Sequence, residues 1–159
     1  MNCKEYRTRH PEFSVPPLPR SVVDTPEWMD WMDHSHHCQT CADWSLYQEV
    51  KARGRNPDNY PCVHIANQQT WSCDQHPDPA DCADVIIVYD KRFDEYAIPT
   101  RTGDASRYLI RFCPWCGVRL PESKRDRWFD ELAGLGFDNP AEQDVPEKYK
   151  TDAWYRTAA

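Results

Sequence analysis

Trp28, Trp31 and Met32 fall three and four residues apart in the segment DTPEWMDWM, the spacing that puts apolar side chains on one helical face. Thr25 is placed to cap that helix, Pro26 suits its first position, and Glu27 suits the positive end of its dipole. A second helix is predicted through ADWSLYQEVKAR, with Trp44, Tyr47 and Val50 facing inward. Gly54 ends it, and GRNPDNYP reads as a loop. The period then changes from helical to alternating. DVIIVYD (84–90), FDEYAIPT and RYLIRF (107–112) predict three short antiparallel strands, the first two joined across Lys91-Arg92. A turn is expected around Gly103 and Asp104, and Pro99 places its strand at an edge or at its end. Residues 123–134 predict a third helix capped by Ser123, with Trp128, Phe129 and Leu132 as its buried stripe and Leu135 beyond. Gly134 and Gly136 terminate it, and Trp154 and Tyr155 are expected to dock the tail. Pro11, Pro16, Pro17 and Pro19 make residues 1–23 a proline-rich arm before a single domain at 24–159. The fold class is α+β, a small antiparallel β-sheet with flanking helices.

Composition narrows the partners. The chain has 159 residues, a formal net charge of -7 and a pI near 5.3. Such a charge is repelled by phosphate backbones, so nucleic acid is disfavoured as a partner. The acidity serves solubility or matches a basic protein. The N-terminal segment lacks the apolar region of a secretory signal, and no apolar run approaches a membrane span. A cytoplasmic location is therefore expected. Eight cysteines in a reducing compartment point to metal ligation over disulfides.

The cysteines are patterned. Cys113-Pro-Trp-Cys116-Gly117 is a zinc-knuckle pattern: two thiolates two residues apart grip one ion, proline stiffens the turn, and glycine lets the chain leave with positive φ. A thioredoxin-like redox pair would sit at the start of a helix, which lowers the thiol pKa. Here the predicted helix begins seven residues after Cys116. Cys38 and Cys41 repeat the spacing, and two such pairs could make one four-cysteine site. CDQHPDPADC offers Cys73, His76 and Cys82, with Cys62 or His64 as a fourth ligand, or Cys73 or Cys82 could complete the Cys113/Cys116 site. His34, His36 and His37 read as an exposed helix end able to substitute as ligands, and Cys3 as a spare thiol. No glycine loop for phosphate and no Ser-His-Asp arrangement stands out. Cysteine-rich paired ligation marks a closed, structural zinc rather than a catalytic one.

The stretches CDQHPDPADCADVIIVYDKRFDEYAI and FCPWCGVRLPESKRDRWFDELAGLGFDNPAEQDVPEKYKTDAWYR resemble a family of small bacterial and phage proteins of unknown function. The resemblance spans about 71–156. It implies that Cys41 matters more than Cys38, and that residues 1–37 and the segment SLYQEVKARGRNPDNYPCVHIANQQ are additions. It brings no activity with it. The reading that follows is a zinc-stabilised protein-binding module and no enzyme, in one specific form an immunity or inhibitor protein acting on a toxin or host enzyme. The alternative is a zinc-ribbon nucleic-acid or transcription adaptor using Lys124, Arg125 and Arg127. A third reading is a metal-dependent hydrolase built on His76.

Overall fold

The computed structural model describes residues 1–78, 81–100 and 106–156. They form two compact units, Met1–Asn67 and Gln68–Ala159. The expected arm followed by one domain thus gives way to a helical unit and an α+β unit.

The first unit begins with a helix where an arm was expected. In α1 (Cys3–Phe13), the Asn2 side chain accepts from the amides of Lys4 and Glu5, and Glu5 accepts from the Asn2 amide. That reciprocal capping box starts the helix. Pro11 falls in the last turn, and Tyr6, His10 and Phe13 line the buried face. A short α2 (Arg20–Val23) leads to α3 (Pro26–His37), capped by Thr25 as predicted, and then to α4 (Gln39–Ala52). Tyr6 stacks on Trp31 with ring centroids 4.9 Å apart, and the Trp31 indole donates to the Tyr6 carbonyl at 3.1 Å. Val22, Trp28, Met32 and Trp44 close around this pair. The chain turns at Gly54 in the left-handed region, passes a 3-10 turn at Pro57–Asn59 and enters α5 (Val63–Gln69).

In the second unit, β1 (Val88–Asp90), β2 (Glu95–Pro99) and β3 (Arg107–Ile110) form an antiparallel sheet in the order β1-β2-β3. The apolar run 84–90 becomes strand only at Val88. Before that, Gln68 and Gln69 side chains bond the backbone of Ile86 and Ile87, taking the place of a neighbouring strand. Pro99 is the last residue of β2, so its missing N–H falls at the strand end. The turn expected around Gly103 and Asp104 lies outside the described residues. After β3 comes the cysteine knuckle, then α6 (Arg125–Gly134), a 3-10 turn at Glu147–Lys150 and α7 (Ala153–Arg156).

Helix α6 starts two residues later than predicted because Ser123 is otherwise engaged. Its hydroxyl donates to the Glu95 carboxylate at 2.6 Å and accepts from the Arg125 amide at 3.1 Å. Trp128 and Leu132 are buried with Phe93, Val145, Tyr149 and Trp154, whereas Phe129 is 38% exposed and does not join them. The tail docks as expected: the Trp154 indole donates to the Arg92 carbonyl at 2.7 Å, and the Tyr155 hydroxyl to the Lys91 carbonyl at 2.8 Å. No helix among the described residues is long and apolar enough to cross a membrane.

Candidate metal centres

The Cys113–Cys116 turn has the knuckle geometry that its sequence predicts. Gly117 donates its amide to the Cys113 carbonyl at 2.8 Å, and Cys113 donates to the Val118 carbonyl at 2.9 Å. Leu120 then donates to the Arg111 carbonyl at 2.9 Å, completing a short hairpin. Gly117 has φ 70° with open space where a Cβ would stand, so conformation and not crowding selects glycine. The two thiols lie within 4.8 Å of each other, Cys113 buried and Cys116 exposed. No helix starts at the turn, since α6 begins at Arg125. A helix dipole that would lower the thiol pKa for redox chemistry is therefore missing from this turn.

Cys73, His76 and Cys82 form a group of their own in the same unit, with ligand atoms within 4.8 Å of one another. Cys73 Sγ is 3.3 Å from His76 Nδ1, and the turn between them is closed by the His76 amide on the Cys73 carbonyl at 3.2 Å. The Gln75 amide, aided by the His76 ring, holds the Cys73 thiol below its ordinary range. That favours the thiolate, which is the form that ligates metal. Cys82 is buried with its sulfur 3.9 Å from an Asp84 carboxylate oxygen. Replacing Cys82 with serine should lower the metal content of purified protein, its melting temperature, or both. Elemental analysis and thermal scans check this, and unchanged values for both would make the grouping incidental.

In the first unit, Cys62 and His64 sit at the start of α5 with their ligand atoms within 4.8 Å of each other. His64 Nε2 is 3.1 Å from Asp43 Oδ1. A carboxylate on one imidazole nitrogen orients the ring, as around metal-bound histidines. Cys38 and Cys41 were the pair that one expectation joined to Cys113 and Cys116. They meet Cys3 and His34 within the first unit, all four ligand atoms lying within 4.8 Å. The reason is the connection between α3 and α4, which is a single residue, Cys38, so the last turn of one helix and the first turn of the next present His34, Cys38 and Cys41 together. Burial, with the neighbouring thiols, pushes the Cys41 thiol up to about 11. The amide of Cys41 pulls half-buried Cys38 below its ordinary range. Sequence reasoning left Cys3 as a spare thiol and His34 on an exposed helix end. The pointer available in the sequence was the spacing His34-x3-Cys38-x2-Cys41. His36 and His37 are exposed, and His37 faces only its own helix through Asp33. No disulfide forms among the described residues.

Fold and sites together define an α+β chain with a small antiparallel sheet, a knuckle hairpin and several Cys/His groups able to hold a metal ion. The chain belongs to the family described as domain of unknown function DUF6980, which matches residues 59–157. The match starts before residue 71, so Asn59 to Gln69 belong to the family part rather than to an added segment. It contains Cys62, His64, Cys73, His76, Cys82, Cys113 and Cys116, and leaves out Cys3, His34, Cys38 and Cys41. No curated protein and no solved structure matches the chain.

Proposed function

We propose that the chain is a zinc-stabilised protein-binding module. Zinc suits thiolate and imidazole donors in tetrahedral groups, and paired cysteine ligands suit a structural rather than a catalytic ion. The observation that carries the binding role is the run from β3 into the knuckle. Tyr108 is 71% exposed, Leu109 52%, Phe112 56% and Trp115 43%. Large apolar side chains exposed to this extent suit a contact surface, with Tyr108 and Leu109 on opposite faces of β3 and Phe112 and Trp115 at the knuckle. Trp115 lies between the two knuckle cysteines and Phe112 immediately precedes the first. A metal on Cys113 and Cys116 would therefore fix the patch in the form it presents. The acidic balance of the chain favours a basic protein as the partner. An inhibitor or immunity protein acting on a toxin or host enzyme is the specific form of this reading, consistent with small size and acidity.

The test is recovery of a partner by tagged wild-type protein from its native host, repeated with Phe112→Ser/Trp115→Ser. The double variant should keep its metal and its circular dichroism and lose the partner by about tenfold or more, the scale of one lost hot spot. Undiminished recovery would remove the patch from the argument.

A second reading rests on exposed Arg111, which directly precedes exposed Phe112 in the chain, since arginine and aromatic side chains together can take single-stranded nucleic acid. The cations proposed for this role from the sequence are engaged internally. Lys124 pairs with Asp94, Arg125 with Glu95 and Arg127 with Glu131. A salt-sensitive shift of labelled single-stranded DNA that Arg111→Ala abolishes would favour this second reading over the first.

A further inference from the structure

We infer that Cys3, His34, Cys38 and Cys41 bind a zinc ion of their own, in a site confined to the N-terminal unit and outside the family match. The ligands come from four places in the chain's local structure. Cys3 is the first residue of α1, His34 lies in the last turn of α3, Cys38 is the junction residue, and Cys41 lies in the first turn of α4. The junction is held by backbone bonds that no ion is needed to form. Cys38 donates to the His34 carbonyl at 2.9 Å, and its own carbonyl accepts from Cys41 at 2.9 Å and Ala42 at 3.0 Å.

Distance excludes a disulfide and is compatible with two thiolates on one ion. Cys3 Sγ and Cys38 Sγ are 3.8 Å apart. Two sulfurs each about 2.3 Å from one ion at the tetrahedral angle are about 3.8 Å apart, whereas a disulfide bond is about 2.05 Å. Simple burial of thiols in a core accounts for Cys41, which is fully buried, but not for Cys3, which is exposed, or Cys38, which is half-buried. Nor does packing account for His34, whose Nε2 is shut off from solvent with no hydrogen-bond partner among the described residues. A buried polar nitrogen without a partner is costly, and a group of three thiols with an imidazole is a complete tetrahedral donor set for zinc.

The site would tie the start of α1 to the α3–α4 junction, at the same end of the unit where Tyr6 stacks on Trp31. It stands apart from the functional reading above, because none of its ligands falls within residues 59–157.

Zinc per chain, measured on full-length protein purified under reducing conditions, tests it. Cys3→Ser/Cys38→Ser should lose one equivalent relative to wild type and keep the remainder. These two positions are chosen because neither is part of a tightly filled core, and His34→Gln gives an independent second variant with the same expected loss. Reconstitution with cobalt(II) adds a spectroscopic reading: both variants should lose one equivalent of tetrahedral cobalt absorption, with the thiolate charge-transfer band reduced alongside. Equal zinc content and equal cobalt spectra in wild type and both variants would overturn the site. So would a Cys3–Cys38 disulfide found by mass spectrometry in protein kept reduced throughout. Cys113→Ser/Cys116→Ser, measured in parallel, reports on the family part alone. Its failure to lose metal would undermine the proposed function and leave this site standing.

Discussion

Stripping metal from the full chain with a strong chelator under reducing conditions should remove most of its circular dichroism and its partner binding together. The reason is the small size of each core. The first unit buries Tyr6, Phe13, Trp31 and Cys41 as one cluster, and the second buries five residues around Trp128. Small units of this kind bury too little apolar surface to be very stable alone. Structural zinc contributes about 10 kcal/mol of binding linked to folding, comparable to the whole stability of a domain at about 5–15 kcal/mol. Because thiolate and neutral imidazole are the ligating forms, acid should act like the chelator, with stability falling as pH falls and protons displace the ion. Circular dichroism during chelation and back-titration with zinc measures this directly. If chelation left the fold intact and eliminated a hydrolytic activity, the ion would be catalytic and the binding reading would fail.

Trp128→Ala is expected to be the most damaging single substitution in the second unit, at about 3–5 kcal/mol for a buried tryptophan replaced by alanine. Trp128 is 1% exposed, sits edge-on to Phe93 with centroids 5.3 Å apart, and donates its indole N–H to the Tyr149 carbonyl at 2.9 Å. Truncation opens a cavity and also leaves that carbonyl without its donor. Phe129→Ala, next along the same helix, is the control. Its ring is 38% exposed, so the change should cost under about 1 kcal/mol. Urea unfolding of both variants compares them, and equal losses would contradict the packing described for α6.

Where periodicity is strong and local, the sequence predicts the structure well. Thr25-Pro26 at the head of α3, Gly54 after α4, the three strands and the knuckle ending in Gly117 are each set by residues that act within a few positions. The first helix was hidden because four prolines between positions 11 and 19 outweighed the capping box at Asn2 and Glu5. Pro11 costs the helix one backbone bond near its end, yet the box supplies what a start needs. The inward face of α6 was misjudged by one residue, since Trp128 and Phe129 are adjacent and only one can face the core. Least legible were the ligand groups. Spacing names pairs, but which pairs meet depends on how helices pack, and Cys3 lies near Cys38 where α1 packs on α3 through Tyr6 and Trp31.

The Glu95–Arg125 contact bears on how sequences of this kind can drift. The Glu95 side chain is 2% exposed, accepts two bonds from the Arg125 guanidinium at 2.9 and 2.6 Å, and takes a third from Ser123. The same guanidinium lies 4.0 Å over the Phe93 ring. Losing the arginine first strands a carboxylate without water, and losing the carboxylate first removes the partner that holds the Arg125 guanidinium and the Ser123 hydroxyl. Both single steps pass through a poorly folded intermediate, whereas an exchange of both positions for apolar residues of matching volume can be neutral. Substitutions at 95 and 125 should therefore be epistatic. In a saturation library of the two positions, tolerated variants should appear as specific pairs and rarely as singles.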